Sequence, residues 1–130
     1  MADSIFTKII RGEIPSHKIY EDELTFVFLD NNPIQLGHTL VIPRKQADYI
    51  WDLPAEDYVA LMNTVKKVGS RLKKVLGTKY VGIEVIGVDV LHAHVHVIPF
   101  NTVAEFRGEE NRPTKVDDAT QSELAAQLAF

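Results

Sequence analysis

One hundred and thirty residues, 45% of them hydrophobic and 25% charged, describe an ordinary globular chain that fits one domain, residues 1–130. A formal charge of −4 argues against a nucleic-acid polymer as partner, because gripping a phosphate backbone needs a basic footprint, yet it leaves room for a small nucleotide. The absence of cysteine removes disulfides, thiolate catalysis and Cys-ligated zinc together, and fits a reducing compartment.

Ser4 to Arg11 reads as a short helix with Phe6, Ile9 and Ile10 on one face and Gly12 as its stop. Ile14, Pro15 and His17 follow in a loop, with His17 expected to be exposed. Lys18–Glu21 and Leu24–Leu29, separated by Asp22-Glu23, read as a hairpin. Asp30-Asn31-Asn32-Pro33 is turn chemistry, and Gly37 precedes a third strand, His38–Ile42, which Pro43 is expected to end. Pro54 to Leu76 is the clearest element, a long helix. Glu56 and Asp57 suit its positive end, Gly77 its C-terminal stop, and Tyr58, Leu61, Val65, Val68, Leu72 and Val75 form its buried stripe. Arg71, Lys73 and Lys74 read as a solvated helix end.

Tyr80–Ile86 is predicted as a fourth strand, Gly87-Val88-Asp89 as a turn and Val90–Ile98 as a fifth strand. Residues 101–115 are polar and predicted to be loop, and Asp118–Leu128 has weak helical periodicity. The sum is an α+β fold: five mainly antiparallel strands, one long helix and a short N-terminal helix. No run is long and apolar enough to span a bilayer, and Met1-Ala2-Asp3-Ser4 lacks the basic-then-apolar pattern of a signal peptide. A cytoplasmic protein without a membrane partner is expected.

The fifth strand carries the chemistry. His92, His94 and His96 alternate with Leu91, Ala93, Val95 and Val97, so in a strand the three imidazoles share one face and the apolar residues the other. Neutral imidazole is a good nucleophile toward phosphorus and the acid or base best matched to neutral pH. Crowding imidazoles together disfavours a second positive charge, so at least one ring stays neutral. The triplet suits covalent catalysis at a phosphoryl centre, and it also suits a three-histidine metal site. Two observations lean against metal. Three rings in a row along one strand converge poorly on a tetrahedral ion, and no carboxylate falls inside the run.

The run His92-Ala93-His94-Val95-His96-Val97-Ile98 matches the signature of the histidine triad (HIT) family. Ser4 to Pro15 resembles the opening of its Hint branch. Leu29 to Pro33, with Gly37 to Lys45 after it, is similar to that branch's nucleotide-binding segment. The resemblance covers about residues 4–100; residues 101–130 are a C-terminal tail that matches no family motif. It implies a HIT-like fold and hydrolysis of purine nucleoside phosphoramidates, AMP or GMP joined to an amine, with no cofactor or metal required. It also implies a homodimer built on the long helix and the neighbouring strand.

By the same resemblance His94 is the nucleophile, forming a nucleotidyl-histidine that water then resolves. His96 and His38 serve the phosphate or its protons, and His92 orients its neighbours. Asp30, with Asn31 beside it, would hold the ribose hydroxyls, while Phe6, Ile9, Ile14 and Phe28 would wall the base pocket. The turn Gly87-Val88-Asp89-Val90 departs from the eukaryotic Hint pattern, placing a carboxylate where that pattern has a serine, and so resembles a bacterial-type variant. An ionised Asp89 repels a substrate phosphate unless a cation lies between them. Asp89 is therefore expected to favour amine leaving groups, and Glu84 to lie in the same region. Three alternatives compete: a dinucleoside polyphosphate hydrolase, a nucleotide-binding interaction protein and a metal-dependent hydrolase.

Overall fold

The computed structural model describes residues 2–130. Its elements are α1 (Ile5–Ile10), β1 (Lys18–Glu21), β2 (Thr25–Leu29), β3 (Thr39–Pro43), α2 (Ala55–Leu76), β4 (Tyr80–Glu84), β5 (Val95–Phe100), α3 (Val103–Phe106) and α4 (Asp118–Leu128). The hairpin between β1 and β2 forms because Asp22 Oδ1 accepts from the backbone N–H groups of Leu24 and Thr25 at 3.0 and 2.8 Å, an Asx-type turn. The five strands form one sheet in the order β1-β2-β3-β5-β4, and every neighbouring pair is antiparallel.

Both faces of the sheet's centre are covered, which is why all five residues of β2 and all five of β3 are buried. Side chains alternate between two apolar clusters. Val27, Leu29, Val41, Val95 and Val97 pack against α2, whose Leu61, Val65, Val68 and Leu72 are buried in the larger cluster. Phe26, Phe28, Leu40 and Ile42 face the other way and pack with Phe6 of α1. α2 starts at Pro54 and stops at Gly77, which takes the left-handed conformation at φ 65°.

The structure corrects several expectations. β5 begins at Val95 and not at Val90, because the Ala93 N–H is taken by Ala47 C=O at 2.8 Å outside the sheet, and Leu91 is exposed. The strand also runs through Pro99 to Phe100. Beyond Val97 only β4 flanks it, and a proline is tolerated where the sheet has thinned. Likewise Pro43 lies inside β3 as its last residue, and β4 stops at Glu84 short of Ile86. Tyr58 is exposed, at the first turn of α2 outside the buried stripe.

The stretch 101–115 contains the short α3. His17 is half-buried, with Nε2 3.1 Å from Asp118 Oδ1, because α4 folds back over the loop that carries it. Arg71 is not part of a solvated helix end. Its guanidinium donates to the carbonyls of Gln127, Leu128 and Ala129, each at 3.1 Å, and so caps the C-terminus of α4.

Candidate active site

Four of the five histidines meet on the α1 side of the sheet, and backbone contacts fix which nitrogen of each ring carries a proton. His92 is fully buried. Its Nε2 lies 2.7 Å from Pro43 C=O, an acceptor only, so Nε2 carries the proton. Its Nδ1 then accepts from the Ser4 hydroxyl at 2.7 Å. Ser4 is also the N-cap of α1, accepting from Thr7 N–H at 3.0 Å, so one hydroxyl ties the helix start to the triad. Gln46 Oε1 completes this knot, accepting from Ser4 N–H and the Thr7 hydroxyl, both at 2.7 Å.

His94 Nδ1 lies 2.7 Å from the His92 carbonyl and must donate to it. Its Nε2 is therefore the nitrogen with a lone pair, and no described residue bonds it. His38 takes the opposite tautomer to His94. Ile34 N–H donates to His38 Nδ1 at 3.0 Å, so the proton sits on Nε2, which donates to His96 Nδ1 at 2.9 Å. This leaves the His96 proton on Nε2, a buried atom without a partner among the described residues. Burial pushes His38 down to about 3, helped by His96 and Arg112. Burial also lowers His92 and His96, each with help from His94. His38, His92 and His96 are thus held neutral.

These rings open onto a cavity of about 410 Å³. One wall is apolar: Ile5, Phe6, Ile9, Phe28 and Leu40. A second is the turn Asp30-Asn31-Asn32 with Ile34. The third carries Glu84, Ile86, Asp89 and Val90, and His38, His94 and His96 lie between. Phe6 sets its edge against the His94 ring at 5.1 Å between centroids. Asp30 Oδ2 is 3.5 Å from His38 Nε2, and burial raises the carboxyl above its usual value. Its other oxygen accepts from Asn32 N–H at 2.8 Å.

Of the residues singled out from the sequence, this cavity gathers Phe6, Ile9, Phe28, Asp30, Asn31, His38, Asp89, Val90, His94 and His96. His92 lies behind the cavity wall with both nitrogens engaged. Ile14 and Val88 are not among the lining residues, and Val88 is exposed to solvent. Gly87 lies in a neighbouring groove against Tyr49. Sequence reasoning missed Ile34, Leu40, Ile86, Arg112 and the Ser4–Gln46 knot. Leu40 was legible, since it alternates with Thr39 and Val41 and therefore shares the face of Phe28. The others depend on contacts across many tens of residues.

The similarities agree with this geometry. The HIT domain family matches residues 11–103. The chain belongs to the HIT family. An uncharacterised HIT-like protein of Borreliella burgdorferi is 40% identical over 106 residues, 76% of each chain. The adenosine 5'-monophosphoramidase of Saccharomyces cerevisiae is 36% identical over 101 residues, 75% of this chain and 63% of that one. Among solved structures, a Hit-like protein involved in cell-cycle regulation from Bartonella henselae superposes with a TM-score of 0.82 at 30% identity, covering 97% of this chain and 94% of the other. The fold is that of HIT proteins, and the chain is a HIT-family hydrolase acting on nucleotides.

Proposed function

We propose that this HIT protein hydrolyses purine nucleoside phosphoramidates through a covalent nucleotidyl-histidine. One observation carries the reading: the hydrogen-bond chain leaves a lone pair on His94 Nε2 and a proton on the unpartnered His96 Nε2, beside one cavity. The His94 lone pair attacks the α-phosphorus, the P–N bond breaks, and the amine leaves with a proton taken from solvent, which the attacking water of the second step gives back. Water then cleaves the P–Nε2 bond, giving the nucleoside monophosphate and restoring His94. His96 Nε2–H donates to a phosphoryl oxygen as negative charge builds there. Asp30 accepts from the ribose hydroxyls, and Phe6, Ile9, Phe28 and Leu40 enclose the base. The carboxylates Glu84 and Asp89 repel an anionic leaving group and attract a cationic amine, which favours a phosphoramidate over a dinucleoside polyphosphate.

No metal is needed in this reading. Asp30, His38 and His96 offer ligand atoms within 4.8 Å of one another. A metal there would need a lone pair on His38 Nε2, and the Ile34 N–H bond to Nδ1 puts the proton on that atom. The deciding experiment is steady-state hydrolysis of a fluorogenic adenosine phosphoramidate with and without a chelator. Turnover that survives the chelator supports the reading. Chelator-sensitive turnover means a metal enzyme, and no turnover by folded protein means another substrate or a binding role.

The protein is also proposed to be a homodimer through β4. That edge strand and its extension expose Tyr80, Ile83, Val85 and Ile86, and Trp51 and Val59 are exposed near the N-terminal end of α2. An exposed apolar strand edge is a template for a second sheet. Light scattering of wild type and Ile83→Lys tests this, with the variant expected as a monomer. No helix among the described residues is long and apolar enough to cross a membrane. A cytoplasmic location is proposed, on the cysteine-free composition, and is checked by cell fractionation.

A further inference from the structure

The cavity contains one fixed cation, and it comes from the C-terminal tail. Arg112 lines the cavity together with Asp30, Asn31 and Ile34. Its guanidinium crosses bare backbone at Gly108, where a Cβ would stand 3.2 Å from Arg112 Nη1 and 3.5 Å from Ile34. It makes no hydrogen bond or ion pair with any described residue. Its guanidinium N–H groups thus have no acceptor among the described residues.

The backbone that presents it is held from both sides. Asn111, just before Arg112, is the only non-glycine among the described residues with positive φ, at 53°. Its side chain donates to Glu105 Oε2 at 2.8 Å, and the other oxygen of Glu105 accepts from Asn101 N–H at 2.7 Å. The Gln35 amide donates to the carbonyls of Glu105 and Glu110 at 3.1 and 3.0 Å, joining this segment to the loop that follows Asp30. A sparsely populated conformation held by a buried carboxylate points to a constraint on the neighbouring residue.

We infer that Arg112 is a specificity-determining residue that recognises a phosphate on the 2′ or 3′ oxygen of the substrate ribose. The inference rests on the assignment of Asp30 to the ribose hydroxyls made above. Arg112 lines the same cavity as Asp30 and lies near enough to act on its carboxyl, so an anion that it binds there belongs to the ribose end. A phosphate beside Asp30 alone would be repelled. A guanidinium next to the ribose-binding carboxylate reverses that, as in dinucleotide sites that accept a ribose phosphate. Burial raises the Asp30 carboxyl, and Arg112 is the weakest of the groups that oppose it, after Asn32 N–H, His96 and His94.

Calorimetric titration of the full chain with AMP, adenosine 2′,5′-bisphosphate, adenosine 3′,5′-bisphosphate and ADP tests this, using wild type, Arg112→Ala and Arg112→Lys. Wild type is expected to bind one of the bisphosphates about tenfold tighter than AMP, as one charge-assisted contact allows. That ratio falls to about one in Arg112→Ala and lies between in Arg112→Lys, while the ratio of ADP to AMP affinity does not move. The isomer preferred identifies the oxygen. Thermal melting confirms that the variants are folded. No bisphosphate preference in wild type overturns the inference, as does a loss in Arg112→Ala that follows ADP or strikes all four ligands alike. Failure of wild type to bind AMP at all would overturn the nucleotide reading itself, whereas AMP binding without bisphosphate preference breaks only this one.

Discussion

Two runs of this chain look alike, His38-Thr39-Leu40-Val41-Ile42-Pro43 and His94-Val95-His96-Val97-Ile98-Pro99, and the fold sets them side by side as β3 and β5. Their apolar residues do the same work. Val41 and Val95 face each other in the register, and both pack toward α2. Their histidines do not. His38 has both nitrogens committed, one to Ile34 N–H and one to His96. His94 and His96 each keep one nitrogen free. Similar strands thus give a positioning ring on one side and reactive rings on the other, and the difference is made by what the backbone offers each imidazole.

The sharpest way to break this comparison is to remove one ring from each run. His94→Ala deletes the only imidazole lone pair that faces the cavity unbonded, and turnover of an adenosine phosphoramidate is expected to fall by about 10⁴-fold or more with the melting temperature little changed. If residual activity stays within tenfold of wild type, His94 is not the nucleophile. His38 acts through His96, so its loss is smaller. His38→Asn keeps an acceptor for Ile34 N–H and loses the donor to His96. A fall in kcat of about 10–100-fold is expected, with KM changed less and the pH profile of kcat displaced. His38→Gln, whose amide reaches the Nε2 position, should recover part of that rate. Equal rates for the two variants would mean that His38 only fills space.

The same burial that keeps the rings neutral makes stability depend on pH. The unfolded chain protonates its histidines near 6.5, while native His38 resists until about pH 3, and His92 and His96 are lowered in the same direction. Below pH 6.5 the unfolded state therefore binds more protons. The contribution of these rings is complete above that pH and is lost as pH falls toward the native values. Asp30 works in the opposite sense, because its raised native value favours the fold at low pH, and it offsets part of the loss. Urea unfolding at pH 6.5 and 5 should show a decrease of about 2 kcal/mol attributable to His38, at about 1.4 kcal/mol per pH unit. His38→Asn should flatten the slope by that amount. An unchanged slope would mean that the ring is solvated in the native state.

How far the site could be read in advance follows from the range of each contact. The triad and its facing valines were legible because alternation along a strand is local. The sheet and α2 were legible for the same reason, through Pro54, Gly77 and the stripe from Leu61 to Leu72. The start of β5 was not, since the alternation continues through Leu91 and Ala93 although Ala47 takes the ladder bond there. Nor were the tautomers, which are set by Ser4, Ile34 and Pro43 from distant parts of the chain. Arg112 gave no signal, because it lies in a polar, aperiodic tail whose path depends on Glu105 and Gln35.

The smallest expected effect concerns the carboxylates Glu84 and Asp89. Asp89 is exposed at the cavity, and Glu84 is the direct partner of His96 in the β4–β5 register. His38 and His96, held neutral by burial, do not screen these carboxylates, so an α-phosphate approaches them at a cost unless the leaving group brings a positive charge. A cationic amine does so, while a neutral amine does not. At an exposed site this preference is worth under about 1 kcal/mol, a few-fold in rate. Asp89→Ser should therefore reduce the ratio of kcat/KM for a lysine-type phosphoramidate over a neutral-amine one by about threefold, and more at low ionic strength. Adding Glu84→Gln should reduce it again. If the ratio stays at its wild-type value in both variants, charge at these positions does not select the leaving group, and the carboxylates stand too far from the scissile bond to matter.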